Sequence, residues 1–136
     1  ARAESEKTGY KLIRAGANRV VHPHQIGGRR MALAALRPTL DRFLSMETLR
    51  QKYNVYMEEI HLGEASELCG KTLSEAAISR RFGLTIIAIL GKDQTEDDVT
   101  FNPGSSTRLN AGDTLIVLGR EEQLQRLEKI ASGASK

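Results

Sequence analysis

Tryptophan is absent from this 136-residue chain, aromatic residues make up only 4% of it, and cysteine occurs once, as Cys69. The scarcity of rings leaves a core of Leu, Ile, Val and Ala and offers no base-stacking platform for nucleic acid. One cysteine cannot close an internal disulfide, and no basic stretch leads into an apolar one at the start. A reducing, cytosolic setting is therefore expected rather than export. Long apolar runs are missing too. The densest, Leu84 to Leu90, is interrupted by Thr85 and falls far short of the roughly 20 residues a membrane-spanning helix needs. No G-x-G-x-x-G turn occurs, so these residues lack the phosphate-binding loop of a dinucleotide fold. The chain begins at Ala1 rather than Met, which suggests that the natural protein extends upstream or was cut.

What is present is unevenly charged. Residues 1–52 carry 11 Lys and Arg against 4 Asp and Glu, whereas residues 53–136 carry 9 against 13. The sequence pattern changes at the same place, so a boundary is expected near Lys52 and the length suits two small lobes. The basic half suits an acidic ligand, a nucleic acid or a membrane-surface partner, but its arginines are spread over helical turns, as on a solvated helix face.

In the first half, residues 4–15 read as a helix, with Glu4 and Glu6 early, Tyr10, Leu12, Ile13 and Ala15 later, and Gly16 just past the end. Arg19 to Val21 reads as a short strand stopped by Pro23. Gln25 to Leu36 reads as a helix that is apolar over much of its circumference, and Thr39 to about Tyr53 as a further amphipathic helix after Pro38. Alternating helix and strand with short connections implies the end of an open α/β sheet with parallel strands. Gly27-Gly28, inside the helix pattern, is expected to serve close helix packing.

The second half shifts to short strands. Val55 to Leu62 reads as a strand and Leu73 to Phe82 as a helix, with Thr72 and Glu75 at capping-box spacing. Leu84 to Leu90 reads as a central strand, Asp93 to Asp98 as a solvated hairpin loop and Val99 to Phe101 as a short strand. Asn102-Pro103-Gly104 and Leu109 to Asp113 read as turns, Thr114 to Leu118 as a strand, and Arg120 to Ala131 as a helix. Nothing assembles into a reaction centre. His22 and His24 lack a nearby Cys, Asp or Glu to complete a metal site, the serines lack a nucleophile elbow, and Cys69 has only Lys71 as an activating neighbour.

The residues Leu68-Cys69-Gly70-Lys71-Thr72-Leu73, Arg81-Phe82-Gly83-Leu84-Thr85-Ile86-Ile87-Ala88-Ile89, Asn102-Pro103, Ala111-Gly112-Asp113-Thr114-Leu115 and Val117-Leu118-Gly119 resemble, in order and spacing, the C-terminal lobe of the RCK or TrkA domains. These domains regulate potassium conductance. Upstream, Leu12 to Val21, His22-Pro23 and Ile26-Gly27-Gly28-Arg29-Arg30-Met31 resemble the end of that family's N-terminal Rossmann lobe. The resemblance implies an α/β chain in three parts. Residues 1–36 would be the C-terminal part of a Rossmann-like lobe, 37–53 a linking and dimerisation helix, and 54–136 a TrkA-C-like α+β regulatory lobe.

It further implies a non-enzymatic, cytoplasmic, ligand-sensing module that pairs with itself, in a dimer or a larger ring, and acts on a potassium channel or uptake subunit. No nucleic-acid partner is expected. The pairing surface would include Ile26, Met31, Ala35, Leu40, Phe43 and Leu44. Family members that bind a cyclic dinucleotide use polar side chains around the turn matching Ser79 to Thr85, which points to Arg80, Arg81 and Thr85. Others hold calcium with an acid-x-acid pair. The matching positions are Arg2 and Glu4, so Glu4 alone is a candidate ligand and no metal is expected. No cofactor is expected in these residues, a nucleotide or divalent cation being a matter for the intact protein. Two alternatives remain: a fragment of a Rossmann-type oxidoreductase, and a basic nucleic-acid-binding module using Arg29, Arg30 and Arg37.

Overall fold

The computed structural model describes residues 1–93 and 98–133, and the chain divides into two compact units, residues 1–48 and 49–136. The loop expected over Asp93 to Asp98 lies largely outside the described residues.

In the first unit, α1 (Glu6–Arg14) is capped by Ser5, whose hydroxyl accepts the Thr8 N–H. The chain on either side of this helix meets in a parallel bridge between Arg2 and Val21, with Ala3 donating to the Val21 carbonyl at 2.9 Å and Val21 to that of Ala1 at 2.8 Å. The strand expected over Arg19 to Val21 is thus reduced to one bridged residue. A parallel ladder needs further strands on its open side to lengthen. Pro23 opens α2 (Pro23–Leu36) at its first turn instead of only ending a strand, because proline's missing N–H costs nothing there. The same holds for Pro38 and α3 (Pro38–Leu44). Arg30 Nε and Asp41 Oδ1 pair at 2.7 Å between α2 and α3.

The single helix expected from Thr39 to Tyr53 is two. Ser45 takes an extended conformation between α3 and α4 (Met46–Tyr53), a position where serine's side chain competes with helical hydrogen bonding. No residue of α2 or α3 is buried. Gly27 and Gly28 have nothing within 4 Å of where a Cβ would stand, so close packing within the first unit is not what the doublet serves.

The second unit is a four-stranded antiparallel sheet in the order β1-β4-β2-β3, built from β1 (Tyr56–His61), β2 (Thr85–Leu90), β3 (Val99–Phe101) and β4 (Thr114–Gly119). The unit starts at Leu49, a few residues before the charge break at Lys52, because Leu49 is itself buried and its carbonyl accepts the Val55 N–H. Three helices complete it: α5 (Leu73–Ala76), α6 (Ile78–Phe82) and α7 (Glu121–Ala131). Their buried residues, among them Ala76, Ile78, Phe82, Leu124 and Leu127, join Ile60, Ile89, Leu115 and Val117 in one apolar core. β4 enters from a tight turn in which Asn110 donates to the Asp113 carboxylate at 2.8 Å and Gly112 adopts a left-handed φ of 88°.

The expected helix from Leu73 to Phe82 is broken at Ala77, which has φ 49° and ψ 36°. The break separates two buried stripes. Ala76 belongs to the first helix, and Ile78 with Phe82, four residues apart, to the second.

Thr72 and Glu75 form the capping box that starts α5, with Thr72 N–H donating to Glu75 Oε2 at 2.8 Å. This backbone bond, with the Thr72 side chain second, holds the Glu75 carboxyl below its ordinary pKa. Because the folded pKa is depressed, the stabilisation is complete above the ordinary carboxylate range and is lost as pH falls through the lowered value. E75Q is expected to flatten the acid limb of a stability-against-pH curve measured by chemical denaturation, and an unchanged acid limb would refute this.

Candidate functional site

A cavity of about 460 Å³ opens where α5, the Ala77 break and α6 face the start of β2 and the loop after β3. That volume lies within the range of small-molecule sites. Each wall has a local cause. The capping box fixes the start of α5, and Ser74 N–H donates to the Ser105 carbonyl at 3.0 Å while Leu73 N–H donates to that of Thr107 at 2.9 Å, which draws the loop against the helix. Asn102 leaves β3 in a left-handed conformation, φ 46°, its N–H donating to the Ile87 carbonyl at 2.9 Å. Gly83, also left-handed, turns the chain from α6 into β2, where Thr85 is exposed.

The chemistry of the walls is one-sided. Arg80 is the only charged residue lining the cavity, and the other polar groups are the hydroxyls of Ser74, Ser79, Ser105 and Thr85 and the Asn102 amide. Leu73, Ile78, Ile86 and Pro103 supply apolar surface. A guanidinium among hydroxyls and an amide suits a phosphate-bearing ligand. A second groove, about 280 Å³ between β1 and α7, has Glu58, Glu59, Glu121 and Glu128 in its lining and no basic residue there. The two concavities therefore select opposite charges.

Of the sequence-derived ligand residues, Arg80 and Thr85 meet in the cavity. Arg81 does not line it. It pairs with Glu67 at 2.9 Å and stacks over the Phe82 ring at 5.1 Å to the ring centre. Asn102 and Pro103 are read from sequence as a turn and as part of the family resemblance, Ser105 as a serine without a nucleophile elbow, and no local pattern marks any of the three as wall. Their part depends on the hydrogen bonds that fold the loop back onto α5.

The proposed pairing residues stand together in exposure: Met31 at 70%, Ile26 at 59%, Phe43 at 54% and Leu44 at 51%, with Leu40 and Ala35 also exposed. Glu4 is exposed, and among the described residues no group of three or more His, Cys, Asp or Glu side chains is placed to hold a metal ion. His22 packs its ring against Gly9, where a Cβ would come within 2.7 Å of Cε1. Burial, and then the Asp113 carboxylate, raise the Cys69 pKa, while its Sγ donates to the Gly63 carbonyl at 3.2 Å. The thiol thus stays protonated and a poor nucleophile. No helix among the described residues is long and apolar enough to cross a membrane.

The TrkA-C domain family matches residues 57–132. Probable potassium channel protein 2 of Methanocaldococcus jannaschii is 34% identical over 140 residues, which cover 100% of this chain and 40% of that protein. The chain thus spans about two fifths of that relative's length. Among solved structures, a GsuK channel bound to NAD aligns at 26% identity and a TM-score of 0.50, over 97% of this chain and 22% of the other. S. agalactiae BusR in complex with its busAB-promotor DNA shares the fold at 23% identity and a TM-score of 0.50, over 95% of this chain and 57% of the other. A four-stranded antiparallel lobe of this topology, a family match over more than half of the residues and a potassium-channel relative aligned along the whole chain lead to one assignment: the chain belongs to the TrkA-C family of RCK-type regulatory domains.

Proposed function

We propose that this chain is the cytosolic ligand-sensing part of a potassium channel or potassium-uptake system, and that it works by binding and shape change rather than by catalysis. In this reading residues 1–36 are the end of a Rossmann-like lobe, 37–53 link and pair, and 54–136 sense the ligand. The observation that carries the reading is the cavity with Arg80 as its sole charged wall, in a lobe of a family whose channel relative aligns over the full chain. The ligand is a phosphate-bearing nucleotide. A nucleotide or divalent cation bound elsewhere in the intact protein would act through the missing part of the Rossmann lobe.

The gating logic is a population shift. Two chains pair through α2 and α3, and a ligand that contacts one arrangement of the pair better than the other biases the equilibrium by that difference in binding free energy. A membrane subunit attached to the pair reads the shift as open or closed.

The test is a calorimetric titration of the protein with cyclic di-adenosine monophosphate, with NAD in parallel, on wild type and R80Q. A charge-assisted phosphate contact is worth about 1.5–3 kcal/mol, so R80Q is expected to weaken cyclic dinucleotide binding by at least about tenfold. R81Q, which disturbs the Glu67 pair outside the cavity, serves as the comparison. Equal affinity in wild type and R80Q would remove the site. Retarded duplex DNA at physiological salt, lost in an Arg29, Arg30 and Arg37 triple substitution, would favour the nucleic-acid reading instead.

A further inference from the structure

We infer that Ala77 is a positioning residue. Its left-handed backbone breaks what would be one helix into α5 and α6, and in doing so lifts Arg80 off the buried stripe and into the cavity. This rests on the cavity being the ligand site, and it adds the device that creates the site's charge.

The argument starts from helix geometry. At about 100° per residue, a continuous helix from Leu73 to Phe82 would place Arg80 about 40° from Ala76 and about 20° from Leu73. Ala76 is 0% exposed and Leu73 packs against the core, so Arg80 would share their stripe and carry its guanidinium into the apolar interior. Ile78, about 200° from Ala76 on the same helix, would point to solvent. The observed burial is the reverse: Ile78 is 1% exposed, Phe82 5%, and Arg80 is exposed and lines the cavity. Both stripes reach the core only because the helical phase resets between residues 76 and 78.

The reset is made at a cost. Alanine's Cβ disfavours the left-handed region, which glycine and asparagine enter more readily. Ala77 is one of three non-glycine residues with positive φ among those described, the others being Asn54 and Asn102, and it is the one that is not asparagine. The surroundings over-determine it. Its N–H donates to the Leu73 carbonyl at 3.0 Å, its carbonyl accepts the Arg81 N–H at 2.8 Å, and buried side chains stand on both sides. Asn102, the second left-handed residue with a place in this cavity, faces the same space from the loop, so two unusual backbone positions shape one site.

The experiment compares Ala77→Val, Ala77→Asn, Ala77→Gly and the double variant A77V/R80L in the full chain, by thermal unfolding and by titration with cyclic di-adenosine monophosphate. Valine and asparagine differ little in bulk but greatly in tolerance of positive φ. A77V is expected to weaken binding at least about tenfold, and A77N to recover that factor. A role in stability alone would move the unfolding midpoints and leave the affinities of the folded variants alike, and that result would overturn the inference. Two outcomes need no ligand. A77G should raise the midpoint by a few degrees, through relief of the left-handed strain, and R80L should restore part of the midpoint lost in A77V, because a leucine fits the stripe that a continuous helix would bury. A lower midpoint in A77G, or strictly additive effects in the double variant, refutes the positioning role. Failure of the wild type to bind any cyclic dinucleotide would strike the proposed ligand site, and the unfolding data would still decide the role of Ala77.

Discussion

The double substitution M31E/F43E is expected to abolish the proposed pairing of two chains, weakening such a dimer by more than about a hundredfold. The helices it attacks carry apolar side chains around much of their circumference, none of them buried within the first unit. Met31 and Phe43 are 70% and 54% exposed, Ile26, Leu36 and Leu44 are exposed on the same two helices, and neither α2 nor α3 buries a single residue. Isolated helices of 14 and 7 residues are marginal in water, and one ion pair between Arg30 and Asp41 adds little at the surface. A second copy packed on these helices would bury part of that surface and supply the missing stability. The open space above Gly27 and Gly28 would then admit a neighbouring backbone at close range. Glutamates placed in such a contact strand charge in a desolvated interface, and anchor losses of this kind exceed about 2 kcal/mol each. Sedimentation velocity of wild type and variant, over a wide concentration range, measures the effect. A wild type that sediments as a monomer at the highest concentration, or a variant that dimerises as tightly as wild type, would remove the pairing surface.

Legibility of the fold from sequence follows the range of the forces involved. β2 was visible because a dense β-branched run between Gly83 and Gly91 has few alternatives, and β4 because the Asn110-Ala111-Gly112-Asp113 turn sets its start within a residue. The capping box at Thr72 and Glu75 was readable for the same reason, since both partners lie within one helical turn. What escaped was set from a distance. The residues from Leu73 to Phe82 carry no helix breaker, and Ala77 has the highest helix propensity of any residue type. Only the need of the core to take both Ala76 and Ile78 breaks the helix there. Ser45 interrupts the linking segment with only serine's weak preference for non-helical backbone as local warning. The cavity shows both regimes: Arg80 and Thr85 came from one short stretch, whereas Asn102, Pro103 and Ser105 come from about 20 residues further on and reach the site through backbone bonds that no sequence pattern encodes.

Leu115→Ala is expected to cost the second unit about 3 kcal/mol. Leu115 is 0% exposed on β4, and β4 is the strand that holds the sheet together, paired with β1 on one side and β2 on the other. Its cross-strand neighbours are Ile60 and Ile89, both buried, and all three belong to the core that α5, α6 and α7 cover. Truncation leaves a void that flanking strands cannot close without breaking their own registers, and Leu to Ala changes in such places cost about 2–5 kcal/mol. In a lobe of this size each kcal/mol moves the midpoint by about 4–8 °C, so a fall of about 12–24 °C is expected in a thermal scan. Phe101→Ala gives the contrast. Its ring is 74% exposed on the edge strand β3, and a shift of only a degree or two is expected despite the larger side chain removed. The cavity is expected to respond to the first change, because Thr85 and Ile86 stand on β2, whose long partner is β4. L115A should therefore weaken cyclic dinucleotide binding at temperatures where the lobe is still folded. A midpoint that moves by less than about 5 °C would mean that β4 is not the strand on which the sensing lobe depends.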